Sequence, residues 1–152
     1  MSPVGRRHNI VVSRLLRELL VVTDGATCLV FTSDMLVRAA ADVFYYPSIT
    51  VVCDSADDHD RFVTRPCLVV EGLSPTTTHK DQREKLLRYG NIESLQGYLS
   101  VSPDDGWIEL HERDGNGAWH DRRVRGDEVV RLPCIDVMVD AASLLVDLHT
   151  AR

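Results

Sequence analysis

The spacing of apolar residues changes several times along this chain, and each change predicts an element. Ile10, Val11, Leu15, Leu19 and Val22 recur at helical spacing with Arg14, Arg17 and Glu18 between them. Residues 7–22 therefore predict an amphipathic helix, which Asp24-Gly25 would end. The period then shortens. Residues 27–32 and 35–41 predict two strands joined near Ser33-Asp34. A third strand is expected over 47–53, where Ile49-Thr50-Val51-Val52 is strongly β-branched. Residues 54–64 are polar and acidic and predict a loop. Residues 68–73 are apolar enough for a central strand.

Helical character returns at Thr78. Thr78-x-x-Asp81 fits a capping box with Asp in place of Glu, and the helix should run to Tyr89 with Gly90 as its stop. Residues 97–101 and 107–113 predict a hairpin around Ser102-Pro103-Asp104-Asp105-Gly106. Strands are expected over 118–124 and 128–132, and a short closing helix over 141–148. The order predicts one α/β domain across residues 1–152, a mixed β-sheet flanked by helices. Its length suffices for a core of its own.

Glu71 breaks the pattern. It stands inside Pro66-Cys67-Leu68-Val69-Val70-Glu71-Gly72-Leu73-Ser74, otherwise a buried-strand run. Desolvating a carboxylate there costs several kcal/mol unless something neutralises it. A metal ion is one solution; an arginine partner or a helix cap is another. Downstream lie Asp81 and Lys85, one helical turn apart on a basic helix.

Composition narrows the picture. No apolar run reaches the ~20 residues of a membrane span, and Arg14, Arg17 and Glu18 argue against a signal peptide, so a cytoplasmic location is the default. Cys28, Cys53, Cys67 and Cys134 form no Cys-x-x-Cys pair, each in an apolar context, and are expected to be buried free thiols. The net charge of -6 argues against broad, non-specific nucleic-acid binding. Basic groups nevertheless gather at Lys80, Arg83, Lys85 and Arg88, and again at Arg122, Arg123 and Arg125, while Asp54, Asp57, Asp58 and Asp60 form an acidic cluster. Lys80 and Lys85 are the two lysines among 17 basic residues.

Several stretches carry a resemblance: Phe31-Thr32-Ser33-Asp34, Tyr45-Tyr46-Pro47, Val51-Val52-Cys53-Asp54, Pro66 through Pro75, Asp81-Gln82-Arg83-Glu84-Lys85-Leu86, Tyr89, Ser94-Leu95, Tyr98 and Trp119. In order and spacing, from about His8 to Leu148, the chain resembles the Uma family of restriction endonuclease-like proteins in the PD-(D/E)XK nuclease superfamily. The resemblance implies a restriction-endonuclease-like core and DNA as substrate. It also implies a homodimer and a Mg²⁺ (or Mn²⁺) ion held by two carboxylates. Glu71 matches the second acid and the metal ligand, Lys85 the helix lysine, and Asp81 its neighbour on one face; Lys80 and Arg83 are the candidate substrate contacts. Such an ion polarises a phosphate and acidifies a water, and a lysine steadies the developing charge.

The chain departs from that pattern at three places. Tyr45-Tyr46-Pro47 is followed by Ser48 where an Asp is expected, Gly72 stands where a Val is expected, and Arg7 rather than an acid precedes His8. Asp54 shares the parity of Ser48 but lies ~20 Å along a strand, beyond coordination distance. The sequence therefore supports two readings: a Mg²⁺-dependent DNA endonuclease with a degraded site, or a catalytically inactive member acting in binding or assembly.

The remaining chemistry is plainer. His8, His59, His79, His111, His120 and His149 show no metal-binding spacing and read as surface or capping residues. Trp107 and Trp119 read as packing residues, and Tyr89 as core-facing. No Gly-x-Ser-x-Gly elbow surrounds Ser74, and no glycine-rich phosphate loop is present.

Overall fold

The computed structural model describes residues 5–145. Helix α1 (Arg6–Thr23) is followed by strands β1 (Leu29–Thr32), β2 (Leu36–Ala40), β3 (Val43–Tyr45), β4 (Ile49–Val52), β5 (Phe62–Val63) and β6 (Leu68–Gly72). Helix α2 (His79–Gly90) leads to β7 (Gly97–Ser102), β8 (Trp107–Arg113), β9 (Trp119–Arg125), β10 (Val129–Leu132), β11 (Val137–Asp140) and α3 (Ala141–Leu145). The fold is a mixed α/β arrangement whose main sheet runs β1-β4-β6-β7-β8-β9. Every pairing in it is antiparallel except β6 with β7. That parallel pair requires a crossover, which α2 supplies.

The sheet is covered on both faces. Val11, Leu15 and Leu19 of α1 pack on Ile49, Val51, Leu68, Val70, Leu99 and Val101. Tyr89 of α2 packs with Val52, Val69, Leu95 and Tyr98 on the opposite face. Burial of β6 from both sides explains its unbroken apolar run. Alternation along β6 puts Val69 and Glu71 on the α2 face, with Val70 and Gly72 toward α1.

Several expectations change. The segment 54–64 contains β5, which pairs in parallel with β2; together with β3 it makes a small three-stranded sheet. Two or three residues are too few to show a period, which is why β3 and β5 escape detection. Strand β11, also unexpected, pairs with β10 through the Cys134-Asp136 turn, where both residues take positive φ. Helix α2 continues through Gly90, and Asn91 is its cap. The closing helix begins at Ala141 as expected; residues 146–148 of that expectation lie outside the described residues.

The cysteines are the clearest correction, since none is a free thiol. Cys28 pairs with Cys53 and Cys67 with Cys134, with Cα separations of 4.1 and 6.3 Å. The first pair follows from register: Leu29 faces Val52, so the next step of the β1–β4 ladder brings Cys28 opposite Cys53. The second pins the start of β6 to the β10–β11 turn. Apolar context at each position separately does not reveal either juxtaposition.

Candidate functional site

Ser48 precedes β4 by one residue. Ile49 faces Val70 across the β4–β6 ladder, so the same register continues to Ser48 opposite Glu71. The two therefore share a sheet face. The Ser48 Oγ accepts a 3.0 Å hydrogen bond from the Gly72 N–H, which ties the end of β6 to the start of β4.

Glu71 is 7% exposed. Its Oε1 accepts from Lys85 Nζ at 3.3 Å and from the Tyr89 hydroxyl at 3.2 Å. Lys85 and Tyr89 are one turn apart, so α2 delivers both to the same carboxylate. Burial pushes the Glu71 pKa up; the Lys85 ammonium and the two hydrogen bonds oppose that shift without cancelling it. Around it the Tyr89 and Tyr98 phenols are also pushed up, by burial first and by the Glu71 charge second. The Lys85 ammonium stands 5.5 Å from the Tyr45 ring centre.

Asp81 is placed differently. Its side chain accepts from the Thr78 backbone N–H at 3.3 Å, and its own N–H donates to Thr78 Oγ1 at 3.1 Å. This is the capping box read from the sequence. The carboxylate is exposed, and its pKa is lowered chiefly by the Thr78 hydrogen bonds. Asp81 and Lys85 line one shallow cavity with Tyr45 and Ser74, but Asp81 makes no bond to Glu71. Lys80 and Arg83 are exposed on α2. Asp34 is an exposed turn residue bonded by the Thr32 hydroxyl, away from the Glu71 carboxylate's partners.

Two features near Glu71 were not singled out from sequence. The Tyr89 hydroxyl is a direct partner of the carboxylate, although its aromatic character alone reads as core. His8 enters from α1, its Nε2 lying 2.9 Å from the Gly72 carbonyl oxygen. Gly72 makes this approach feasible: a Cβ on it would stand 2.3 Å from His8 Nε2. The Gly72 departure from the family pattern thus makes room for the His8 ring. His8, Ser48, Glu71 and Gly72 all border a cleft of about 610 Å³ at the ends of β4 and β6.

His111 also departs from the surface reading. It is buried, with Nδ1 2.5 Å from Asp121 Oδ1 and Nε2 3.1 Å from Glu109 Oε1. Trp107 is buried as expected, with the Arg123 guanidinium stacked 3.8 Å from its ring centre.

The donor set around Glu71 comprises one buried carboxylate and the hydroxyls of Ser48 and Tyr89. Among the described residues no group of three or more His, Cys, Asp or Glu is arranged to hold a metal ion. A hard dication can be held through one carboxylate while keeping most of its waters, so this set fits a loosely bound ion rather than a protein cage.

An uncharacterised protein of Synechocystis is 34% identical over 121 residues, covering 78% of this chain and 64% of the relative. A second from the same organism is 28% identical over 123 residues, covering 78% of this chain and 70% of its own. The chain thus spans somewhat under two thirds of the first relative's length. The crystal structure of "a putative nuclease belonging to DUF820" from Anabaena variabilis superposes with a TM-score of 0.79 at 15% identity. That match covers 95% of this chain and 83% of the other. At that identity the likeness shows the fold. A family model described as "Putative restriction endonuclease" matches residues 1–142, and on that match the chain belongs to the Uma2 family.

Proposed function

We propose that this chain is a divalent-metal-dependent DNA endonuclease of the PD-(D/E)XK type whose metal site is weakened by Ser48. The observation that carries this reading is the buried Glu71, opposite Ser48, with Lys85 3.3 Å from its carboxylate. Glu71 would hold Mg²⁺ or Mn²⁺, and the ion would supply Lewis-acid polarisation of the scissile phosphate. Lys85, within reach of the carboxylate and one-third exposed, is placed to meet negative charge developing on the phosphate. Lys80 and Arg83, on the outer surface of the same helix, would contact the DNA backbone. Asp81 would act on the site through the helix end that it caps.

The opposing reading is an inactive binding or assembly protein. It is favoured by the Lys85–Glu71 pair itself, which already neutralises the carboxylate. Both readings are compatible with a homodimer, for which β1 offers an edge strand and Leu29, 60% exposed, an apolar contact. No helix among the described residues is long and apolar enough to cross a membrane.

Calorimetric titration with Mn²⁺ and nicking of supercoiled plasmid separate the two. The endonuclease reading expects weak binding and slow nicking that vanish in Glu71→Ala. It further expects Ser48→Asp to raise metal affinity, because a second carboxylate adds several kcal/mol of attraction in a partly buried site. No heat at millimolar metal with either chain would sink the endonuclease reading and favour the binding-protein one.

A further inference from the structure

The 610 Å³ cleft beside Glu71 has a wall chemistry that the proposed hydrolysis does not use. Asn9 and Ser13 come from the first turns of α1, Ser33 from the β1–β2 turn, and Tyr46 and Ser48 from the approach to β4. Among the described residues no lysine or arginine borders it, and Glu71 is the one carboxylate that does. A cleft that seats phosphate is lined by guanidinium, ammonium or converging N–H groups. This one presents the Asn9 amide, three serine hydroxyls and the His8 imidazole, each able to donate and accept, beside Val12 and a Tyr46 ring that is 54% exposed. Those are the groups that recognise a nucleobase: an edge needing donors and acceptors, and a face needing a ring.

We propose that this cleft accepts one unpaired nucleobase of a DNA strand, next to the phosphodiester presented to Glu71, so that the substrate is single-stranded or locally opened DNA. The inference rests on the nuclease reading above and adds a substrate class to it. Tyr46 supplies the stacking face and Asn9 the edge contacts. Glu71 borders the cleft and is 7% exposed, so a nucleotide still stacked in a duplex has to swing out to bring its phosphate there. Unpairing costs a few kcal/mol in a duplex and little in a single strand. The acidic net charge of -6 is consistent with this, since backbone attraction alone would favour duplex binding.

The test is fluorescence anisotropy of a labelled oligonucleotide with Ca²⁺, as a single strand and as a blunt duplex of the same sequence. The single strand should bind roughly tenfold more tightly, and Tyr46→Ala should remove roughly tenfold of that affinity, the range expected for loss of one base stack. Tyr46→Phe should retain it, Asn9→Ala should weaken it, and duplex binding should not change. Equal affinity for strand and duplex, or a Tyr46→Ala chain that binds the single strand unchanged, would overturn the proposal. Full displacement of the strand by an equal concentration of a free nucleoside monophosphate would overturn it too, by making the cleft a mononucleotide site. Mn²⁺ calorimetry on the same preparations keeps the two ideas apart. Metal binding without strand preference defeats the cleft assignment alone, whereas no metal binding defeats the nuclease reading on which it stands.

Discussion

Glu71 and Asp81 are both acids that the sequence joins to Lys85, yet strand β6 and the first turn of α2 treat them in opposite ways. Glu71 is buried on a central strand, and its pKa is pushed up because desolvation outweighs Lys85 and Tyr89. Asp81 is exposed at a helix start, and its pKa is pulled down by the Thr78 hydrogen bonds. One carboxylate is a cost that the fold retains; the other closes a capping box. The difference teaches that helical spacing from a lysine does not assign a role. What assigns it is whether the carboxylate is held out of water and by which partners.

The largest effect should come from removing the partner of the buried acid. Lys85→Met leaves Glu71 without its compensating charge, and breaking a fully buried pair costs 3–5 kcal/mol. Because Lys85 is 32% exposed, a loss of about 2 kcal/mol near pH 8 is expected. The sign with pH follows from the raised folded-state pKa of Glu71. Its contribution is fully present below the ordinary value of 4.5 and is lost as pH rises through the higher folded value. The variant should therefore approach the unaltered chain in stability near pH 4 and fall behind it as pH rises. Urea midpoints at the two pH values check this; an equal deficit at both would mean that the lysine stem's packing matters rather than its charge.

Gly72→Val restores the residue that the family pattern expects, and it should destabilise this chain. The new Cβ would stand 2.3 Å from His8 Nε2 and 3.0 Å from Val12 Cγ2. Overpacking of this kind costs about 1–3 kcal/mol. The imidazole would also lose its contact with the Gly72 carbonyl. Adding His8→Ala should recover most of the loss, and thermal melts of the single and double variants measure it. A double variant no more stable than Gly72→Val would show that Val12, not His8, sets the limit.

Thr78→Ala attacks the other region. Loss of an N-cap hydroxyl costs ~1 kcal/mol, and here it frees the Asp81 N–H. The helix start should fray while the Lys85–Glu71 pair persists, since Lys85 and Tyr89 sit about two and three turns further on. Amide exchange along α2 would show faster exchange confined to the first turn; faster exchange at Lys85 and Tyr89 would mean that the cap supports the whole site.

Much of this arrangement is legible in the sequence, for identifiable reasons. Helix α1 carries a strong helical period, β4 and β6 are unbroken apolar or β-branched runs, and the β7–β8 hairpin is marked by its turn residues. The Thr78–Asp81 box is a local signal, correctly placed. Glu71 stands out because a carboxylate in an apolar run is costly wherever the run lies. What stays hidden depends on contacts between segments far apart in sequence. Cys67 meets Cys134 across 67 residues, and His8 meets Gly72 across 64. Tyr89 reads as core because its ring is core, whereas its hydroxyl finds Glu71 only once α2 lies across β6. Strands β3 and β5 are too short to show an alternation at all.

The smallest effect, and the sharpest separation of the two acids, should come from Asp81→Asn. The amide oxygen can still accept from the Thr78 N–H, so the cap survives in weaker form, without the charge that favours a helix N-terminus. Asp81 has a folded-state pKa below its ordinary value of 3.8. Its contribution is therefore present above that value and is lost as pH falls through the lower folded one, the reverse of Glu71. Asparagine does not titrate there, so the variant should lose the part of the acid-side slope that Asp81 provides and remain slightly less stable at neutral pH. Metal binding should be unchanged, because this carboxylate serves Thr78 rather than the cleft. A weaker Mn²⁺ heat in Asp81→Asn, with its melting temperature preserved, would return Asp81 to the metal site and erase the contrast between the two carboxylates.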